Sequence, residues 1–351
     1  MKSTVKAGSD TTFHLNLRGW PQISVLCLSA LLMLTGCQTS KTQSAALTPS
    51  QSPSLTTSSS GQPVEPTATA ISPTPTLPAQ AAITPTQPCG ATANQAQSAI
   101  DHVVWIVMEN HGRKQIINNS AAPYFNSLIS RCGYASNDHA VAHPSLPNYI
   151  AMTSGSTQRI YNDASPLDRP LNVPNIFSQL GEGHWKTLSE NMPAPCYKKN
   201  SGTYVARHNP ATYYTNLASQ CQNQALPLTS PIDLTAPFTM IVPDQKSNTH
   251  DTSVAYGDNW LSKFVPTLIE SSPYQAGRLV IFVTYDEDEN SGDTSNPIAT
   301  VAISPRTKPG TVDPSYATHY TLLRTTQELL RLPLLGKAST ASSFISAFNL
   351  G

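Results

Sequence analysis

Two apolar runs constrain this chain most: Val103-Val104-Trp105-Ile106-Val107-Met108, opened by His102, and Leu279-Val280-Ile281-Phe282-Val283-Thr284. A run without polar alternation leaves no face for water, so each reads as a strand covered on both sides, the habit of parallel sheets. Phe238 to Val242 gives a shorter third strand and Ile298 to Ser304 a fourth. Helical spacing at Tyr124 to Ser130, Asn175 to Leu180, Trp260 to Ile269 and Leu322 to Leu330 is interspersed among them. Strands alternating with helices predict an α/β fold with a mostly parallel central sheet flanked by helices.

Three of these strands stop on acids. The first ends at Glu109-Asn110-His111, the second at Tyr285-Asp286-Glu287 and the third at Pro243-Asp244. Open parallel sheets bind ligands at the carboxyl ends of their strands. If Glu109, Asp244, Asp286 and Glu287 converge there, each pair at ~5 Å and an effective dielectric of ~20 repels by roughly 3 kcal/mol. Such a cluster needs protons or bound cations, and oxygen with imidazole ligands suits hard or borderline divalent metals. His250, shortly after Asp244, and His319, just ahead of the last helix, supply imidazole. Asp251 is either a ligand or the group that orients His250. Asp288, Glu289 and Asp293 read as solvated loop residues.

The stretch His143-Pro144-Ser145-Leu146-Pro147-Asn148-Tyr149 sets a hydroxyl beside a ring base. A proline on each flank of Ser145-Leu146 restricts the backbone there, so Ser145 is expected in a rigid turn as a nucleophile.

Residues 1–36 belong to export rather than to the fold. Lys2, Lys6 and Arg18 precede the apolar run Ile23 to Leu34, which is shorter than the roughly 20 residues that span a bilayer and so reads as a secretory signal. It closes on Leu34-Thr35-Gly36-Cys37, which resembles the lipobox of bacterial lipoproteins. That resemblance implies a lipid on Cys37 and an anchor at the outer side of the cytoplasmic membrane or elsewhere in the cell envelope. Residues 37–88 are mostly Ser, Thr, Pro, Ala and Gln, with few large apolar residues and Glu65 as their one acid; too poor in apolar surface to offset conformational entropy, they are expected to form an extended linker. Residues 89–351 remain for one domain. The whole chain carries 21 basic and 21 acidic side chains, which gives no electrostatic case for nucleic acid. Cys89, Cys132, Cys196 and Cys221 suggest two disulfides; of three possible pairings, Cys89 with Cys132 and Cys196 with Cys221 close the local loops.

From about Asp101 to Leu335 the chain resembles the bacterial phosphoesterase family that contains acid phosphatases and phospholipase C type enzymes, a branch of the alkaline phosphatase superfamily. The motifs that carry the resemblance run in order: Glu109-Asn110-His111, His143 through Tyr149, Arg207-His208-Asn209-Pro210, Pro243-Asp244 through His250-Asp251, Thr284 through Glu287, and His319-Tyr320 with Leu323-Arg324-Thr325. It implies Ser145 in the place of the superfamily's nucleophile, with Glu109, Asn110, Asp286 and Glu287 around a metal that touches it. Asp244, His250 and His319 match the second cluster. His208, Asn110 and His143 read as donors to the non-bridging oxygens of the phosphate, His208 among the catalytic residues, with Arg207 and Asn209 as further substrate contacts, although Arg207 serves a surface salt bridge equally well. Many superfamily members use Asp on the first strand and an Asp-His pair on the later one. Here Glu109-Asn110 and Asp286-Glu287 stand instead, which leaves the metal's identity open, and whether one divalent ion binds or two.

The activity implied is that of an exported, metal-dependent phosphomonoesterase of acid phosphatase type, acting through a phosphoserine. A phospholipase C type phosphodiesterase is the alternative within enzymes. A lipoprotein that binds phosphate or a phosphorylated ligand without turnover is the alternative outside them.

Overall fold

The apolar runs form the middle of one sheet. A computed structural model describes residues 83–90, 99–289 and 293–351, all within one compact unit. Its strands are β1 (His102–Met108), β2 (Gly133–His139), β3 (Trp185–Ser189), β4 (Ala225–Pro227), β5 (Phe238–Val242), β6 (Leu279–Tyr285), β7 (Pro297–Ile303), β8 (Thr311–Asp313) and β9 (Ala317–Thr318). They pair in the order β4-β3-β5-β1-β6-β7-β2-β8, with β9 beside β2. The helices are α1 (Arg113–Ile116), α2 (Pro123–Arg131), α3 (Ser145–Ser154), α4 (Ile176–Leu180), α5 (Cys221–Gln224), α6 (Val254–Ile269), α7 (Ser272–Gln275) and α8 (His319–Leu329).

The sheet is parallel except at β7, which runs antiparallel to both β6 and β2. Residues 286–296, which join β6 to β7, are too few for the helical crossover that a parallel neighbour requires.

Side chains alternate between two buried faces. Val103, Trp105 and Val107 of β1 join Phe282, Phe238 and Met240 in one cluster with Leu146, Tyr149, Ile176, Phe177 and Leu322. Val104, Ile106 and Met108 join Ile281, Val283 and Ile241 in the other, with Phe125, Leu128, Leu261 and Val265. Helices α3, α4 and α8 therefore cover one face, and α2 and α6 the other. Each of these apolar side chains contributes roughly 1.5–3 kcal/mol on burial, so the two-sided coverage explains why β1 and β6 carry no polar alternation. The one polar atom of Trp105 is satisfied, its indole N–H donating to Thr326 Oγ1 at 3.0 Å.

Strand β1 pairs with β6 from His102 opposite Leu279 to Met108 opposite Tyr285. The next residues on the two strands are Glu109 and Asp286, so the register alone sets two carboxyl groups side by side at the carboxyl edge.

Disulfides join Cys89 to Cys132 and Cys196 to Cys221, the local pairing expected. Residues just ahead of Cys89, expected to belong to the linker, pack on the domain: Ile83 is buried, the Tyr274 hydroxyl donates to the Pro88 carbonyl and Arg131 donates to that of Thr86. The signal segment, Cys37 and most of the linker lie outside the described residues. Among the described residues no helix is long and apolar enough to cross a membrane.

Candidate active site

Ser145 is the first residue of α3, not part of an isolated turn. Pro147 is tolerated there because the first-turn N–H groups of a helix have no intrahelical partner to lose. The loop ahead is fixed by Asn148, whose Oδ1 accepts from the N–H groups of Val141 and Ala142 at 3.1 and 3.0 Å and whose amide donates to the Ala142 carbonyl at 2.8 Å. Asp163 caps the helix from outside, accepting the Leu146 N–H at 3.0 Å.

The Ser145 hydroxyl lies between two carboxyl groups, 3.0 Å from Glu109 Oε2 and 3.1 Å from Glu287 Oε1. The other oxygen of each acid is held as well. Tyr149, one helical turn beyond Ser145 on the same face, donates its hydroxyl to Glu109 Oε1, and His143 Nδ1 bonds Glu287 Oε2. Asn110 adopts the left-handed backbone (φ 62°) that asparagine tolerates. This turn brings its N–H to Asp286 Oδ1 at 3.0 Å. The carbonyl of Asp286 meets His319 Nε2 at 2.7 Å.

These acids are fully or almost fully buried, and burial dominates their chemistry. It pushes the Glu109 carboxyl well above the usual carboxylate range, with the Asp286 charge adding to the effect. Burial and then the Glu287 charge raise Asp286. Burial likewise raises Glu287. Tyr149 is driven up by burial and by Glu109, so its hydroxyl stays a donor.

His208 stacks on Tyr149 with ring centroids 5.1 Å apart. Its Nε2 is 3.3 Å from Glu109 Oε1 but makes no hydrogen bond. The Asn248 amide approaches Nδ1 at 3.4 Å; as a donor it assigns the ring proton to Nε2. Burial, with the charges of Arg207 and His250, holds His208 neutral. The site therefore contains a buried, unspent N–H next to Glu109, the acid that also accepts from Ser145.

The remaining expected residues are distributed differently. Arg207 lies 3.5 Å from Asp163 Oδ2 and donates to His250 Nε2 at 3.0 Å, so it both flanks the site and makes an ion pair. Asn209 is not at a phosphate position: it is fully buried, accepting from Thr187 at 2.9 Å and contacting the Met192 sulfur. The proposed second cluster does not assemble. Asp244 is bonded by Asn191, Thr203 and the N–H groups of Lys246 and Ser247; burial opposes its ionisation, and these bonds together hold it below the ordinary range. His250 bonds Asp251 and Arg207. Burial lowers His319 to about 4, so it serves as a neutral donor to the Asp286 carbonyl.

Among the described residues no group of three or more His, Cys, Asp or Glu is arranged to hold a metal ion. The donor chemistry around Ser145 nonetheless suits one. Three buried carboxyl groups surround one hydroxyl, and Asp286 Oδ2 is buried without a hydrogen bond, a lone pair that a hard cation would use. The Asp244, His250, Asp251 and His319 set offers no such fit, because its groups are engaged separately.

Tyr149, Asn148 and Asp163 were absent from the sequence-derived site. The signal for Tyr149 was its four-residue offset from Ser145, which needs the helix to be recognised first.

A model of the Phosphoesterase family matches residues 114–333, well over half of the chain. The chain belongs to the Phosphoesterase family. The matched span of this phosphoesterase begins beyond Glu109 and Asn110, so those two residues are assigned to the site by geometry. A phosphatidylinositol-3-phosphatase of Mycobacterium tuberculosis is 29% identical over 257 residues, 71% of this chain and 83% of that protein. An acid phosphatase of Aspergillus fumigatus is 29% identical over 230 residues, 60% of this chain and 51% of that protein, so the chain spans about half the length of this fungal relative. A solved protein of the alkaline phosphatase superfamily from Vibrio parahaemolyticus superposes with a TM-score of 0.50 at 12% identity, covering 70% of this chain and 71% of that one. The fold of the phosphoesterase is thus alkaline phosphatase-like.

Proposed function

We propose that this chain hydrolyses phosphate monoesters with Ser145 as the nucleophile. The observation that carries the reading is the Ser145 hydroxyl held between Glu109 and Glu287, with the unspent N–H of His208 next to Glu109. The names of the relatives, a phosphatidylinositol phosphatase and an acid phosphatase, favour monoesters over diesters.

In this reading Glu109 or Glu287 takes the Ser145 proton; burial makes both stronger bases than ordinary carboxylates. The freed Oγ attacks phosphorus in line, the bond to the alcohol breaks, and a phosphoserine remains. His208 Nε2–H and the Arg207 guanidinium are donors for the non-bridging oxygens, where charge accumulates. His143, half-exposed on the rim, returns a proton to the departing alcohol. Water then cleaves the phosphoserine: its oxygen bonds phosphorus as the bond to Oγ breaks, its proton passes to the same carboxylates and from them to Oγ, and inorganic phosphate leaves. Glu109, Asn110, Ser145, Asp286 and Glu287 would hold one divalent ion. Bound there, it would lower the pKa of the hydroxyl and neutralise the acids.

The test is Ser145→Ala, assayed on p-nitrophenyl phosphate and on bis(p-nitrophenyl) phosphate. The variant should fold normally and lose turnover by about three or more orders of magnitude, and acid-quenched wild type should yield a phosphorylated Ser145 peptide. Retained monoester activity would refute the nucleophile, and preference for the diester would move the reading to a phosphodiesterase.

For location we propose a lipid anchor at Cys37. Cys37→Ser should move the protein from the membrane to the soluble fraction of a bacterial host. Unchanged fractionation would count against the anchor.

A further inference from the structure

A cavity of about 660 Å³ borders the site at His143, lined by His139 to His143, Thr318, Tyr320 and Lys337 among others. His143 belongs to both spaces: it lines the cavity and bonds the Glu287 carboxyl that accepts from Ser145. An alcohol leaving past His143 would enter the cavity.

The charge of its lining is one-sided. It contains Lys337 and two histidines and no carboxylate, although acids crowd the neighbouring site. The Lys337 ammonium lies 5.4 Å from the centroid of the Tyr320 ring and makes no ion pair with any described acid. Tyr316 stacks on His139 at 5.1 Å to complete an aromatic wall.

The backbone at Lys337, whose side chain is exposed, is tied to helix α3. Its N–H donates to the Gly155 carbonyl at 2.9 Å, at the C-terminal end of the helix that begins with Ser145. Gly155 and Gly336 both have positive φ, and a Cβ on either would meet the other segment's backbone at 2.2 Å and 2.4 Å respectively. Only glycine permits this contact, so one helix sets both the hydroxyl and the segment that carries the cation.

We propose that this cavity is a leaving-group subsite that selects phosphate monoesters whose alcohol carries a second anionic group, with Lys337 as its specificity residue. The proposal rests on the phosphomonoesterase reading for its catalytic consequence, but binding of the second anion does not depend on Ser145 being the nucleophile.

The experiment compares fructose 1,6-bisphosphate, fructose 6-phosphate and p-nitrophenyl phosphate with the full chain and its Lys337→Met and Lys337→Arg variants. Calorimetric titration of fructose 1,6-bisphosphate into Ser145→Ala, with and without Lys337→Met, supplies a readout free of turnover. Wild type should prefer the bisphosphate. Lys337→Met should lose about ten- to a hundredfold in kcat/KM on it, the worth of one charged hydrogen bond, while p-nitrophenyl phosphate stays within about twofold and Lys337→Arg restores the preference. Equal losses on all substrates, no loss, or a wild-type preference for p-nitrophenyl phosphate would overturn the subsite. If no ester is cleaved, the phosphomonoesterase reading fails and the titration decides alone: binding weakened about tenfold or more by Lys337→Met upholds the subsite, and unaltered or absent binding refutes it.

Discussion

Removing one oxygen at Tyr149 tests whether the carboxyl groups around Ser145 must be held. Tyr149→Phe keeps the ring that stacks on His208 and deletes the hydroxyl that donates to Glu109 Oε1. Both residues are fully buried, so water cannot replace the lost donor without entering the core. Leaving a buried acceptor without its donor costs roughly 1–3 kcal/mol, and the variant should lose about that much in urea-unfolding free energy at unchanged m-value. Glu109 would also be free to turn away from Ser145. With the barrier rising by a similar amount, kcat on p-nitrophenyl phosphate should fall about ten- to a hundredfold. KM should hold, because Tyr149 faces the carboxyl and not the ester. A variant with kcat and stability both within about twofold of wild type would refute the view that Tyr149 positions Glu109.

Two further predictions concern acids. Asp138 in β2 is buried, and burial raises it to about 7, so its folded pKa lies above its unfolded value of 3.8. Such a group favours the fold most below the unfolded pKa, and that contribution is lost as pH rises through about 7. Relative to Asp138→Asn, wild type should lose roughly 2–3 kcal/mol of unfolding free energy between about pH 5 and pH 8; parallel profiles from the two proteins would remove the assignment. At the site itself, Asp286→Asn should reduce metal content, read by elemental analysis after dialysis against Mn²⁺ or Zn²⁺, as well as rate. Full metal occupancy in that variant would place the ion elsewhere.

What the sequence revealed follows from how many neighbours each segment needs. Strands β1 and β6 were legible because burial on both faces removes every polar residue, and their shared register makes Glu109 and Asp286 adjacent without further information. Strand β2, Gly-Tyr-Ala-Ser-Asn-Asp-His, was not, since its place depends on β7 on one side and β8 and β9 on the other. Helix α3 was hidden by Pro144 just ahead of it and Pro147 in its first turn, which suggest a turn unless the first-turn exemption is applied. The second cluster failed for a related reason. Asp244 is taken by Asn191 and Thr203, partners remote in sequence that no local motif announces, and Asn209 is likewise consumed by Thr187.

The pairing of β1 with β6 has a further consequence for how much of a preparation can work. Side chains on a strand alternate by twos, so a slip of one residue between these strands would send Glu109 and Asp286 to opposite faces while leaving two equally greasy strands paired. Hydrophobic burial alone penalises that error weakly, because both faces are apolar, and the bond from Trp105 to Thr326 is the polar contact on β1 that opposes it. Chemistry would register it completely, since Ser145 would lose one of its neighbouring acids. Specific activity in this protein is therefore a fidelity gauge: it counts molecules in correct alignment, and a misaligned fraction would be soluble, compact and silent.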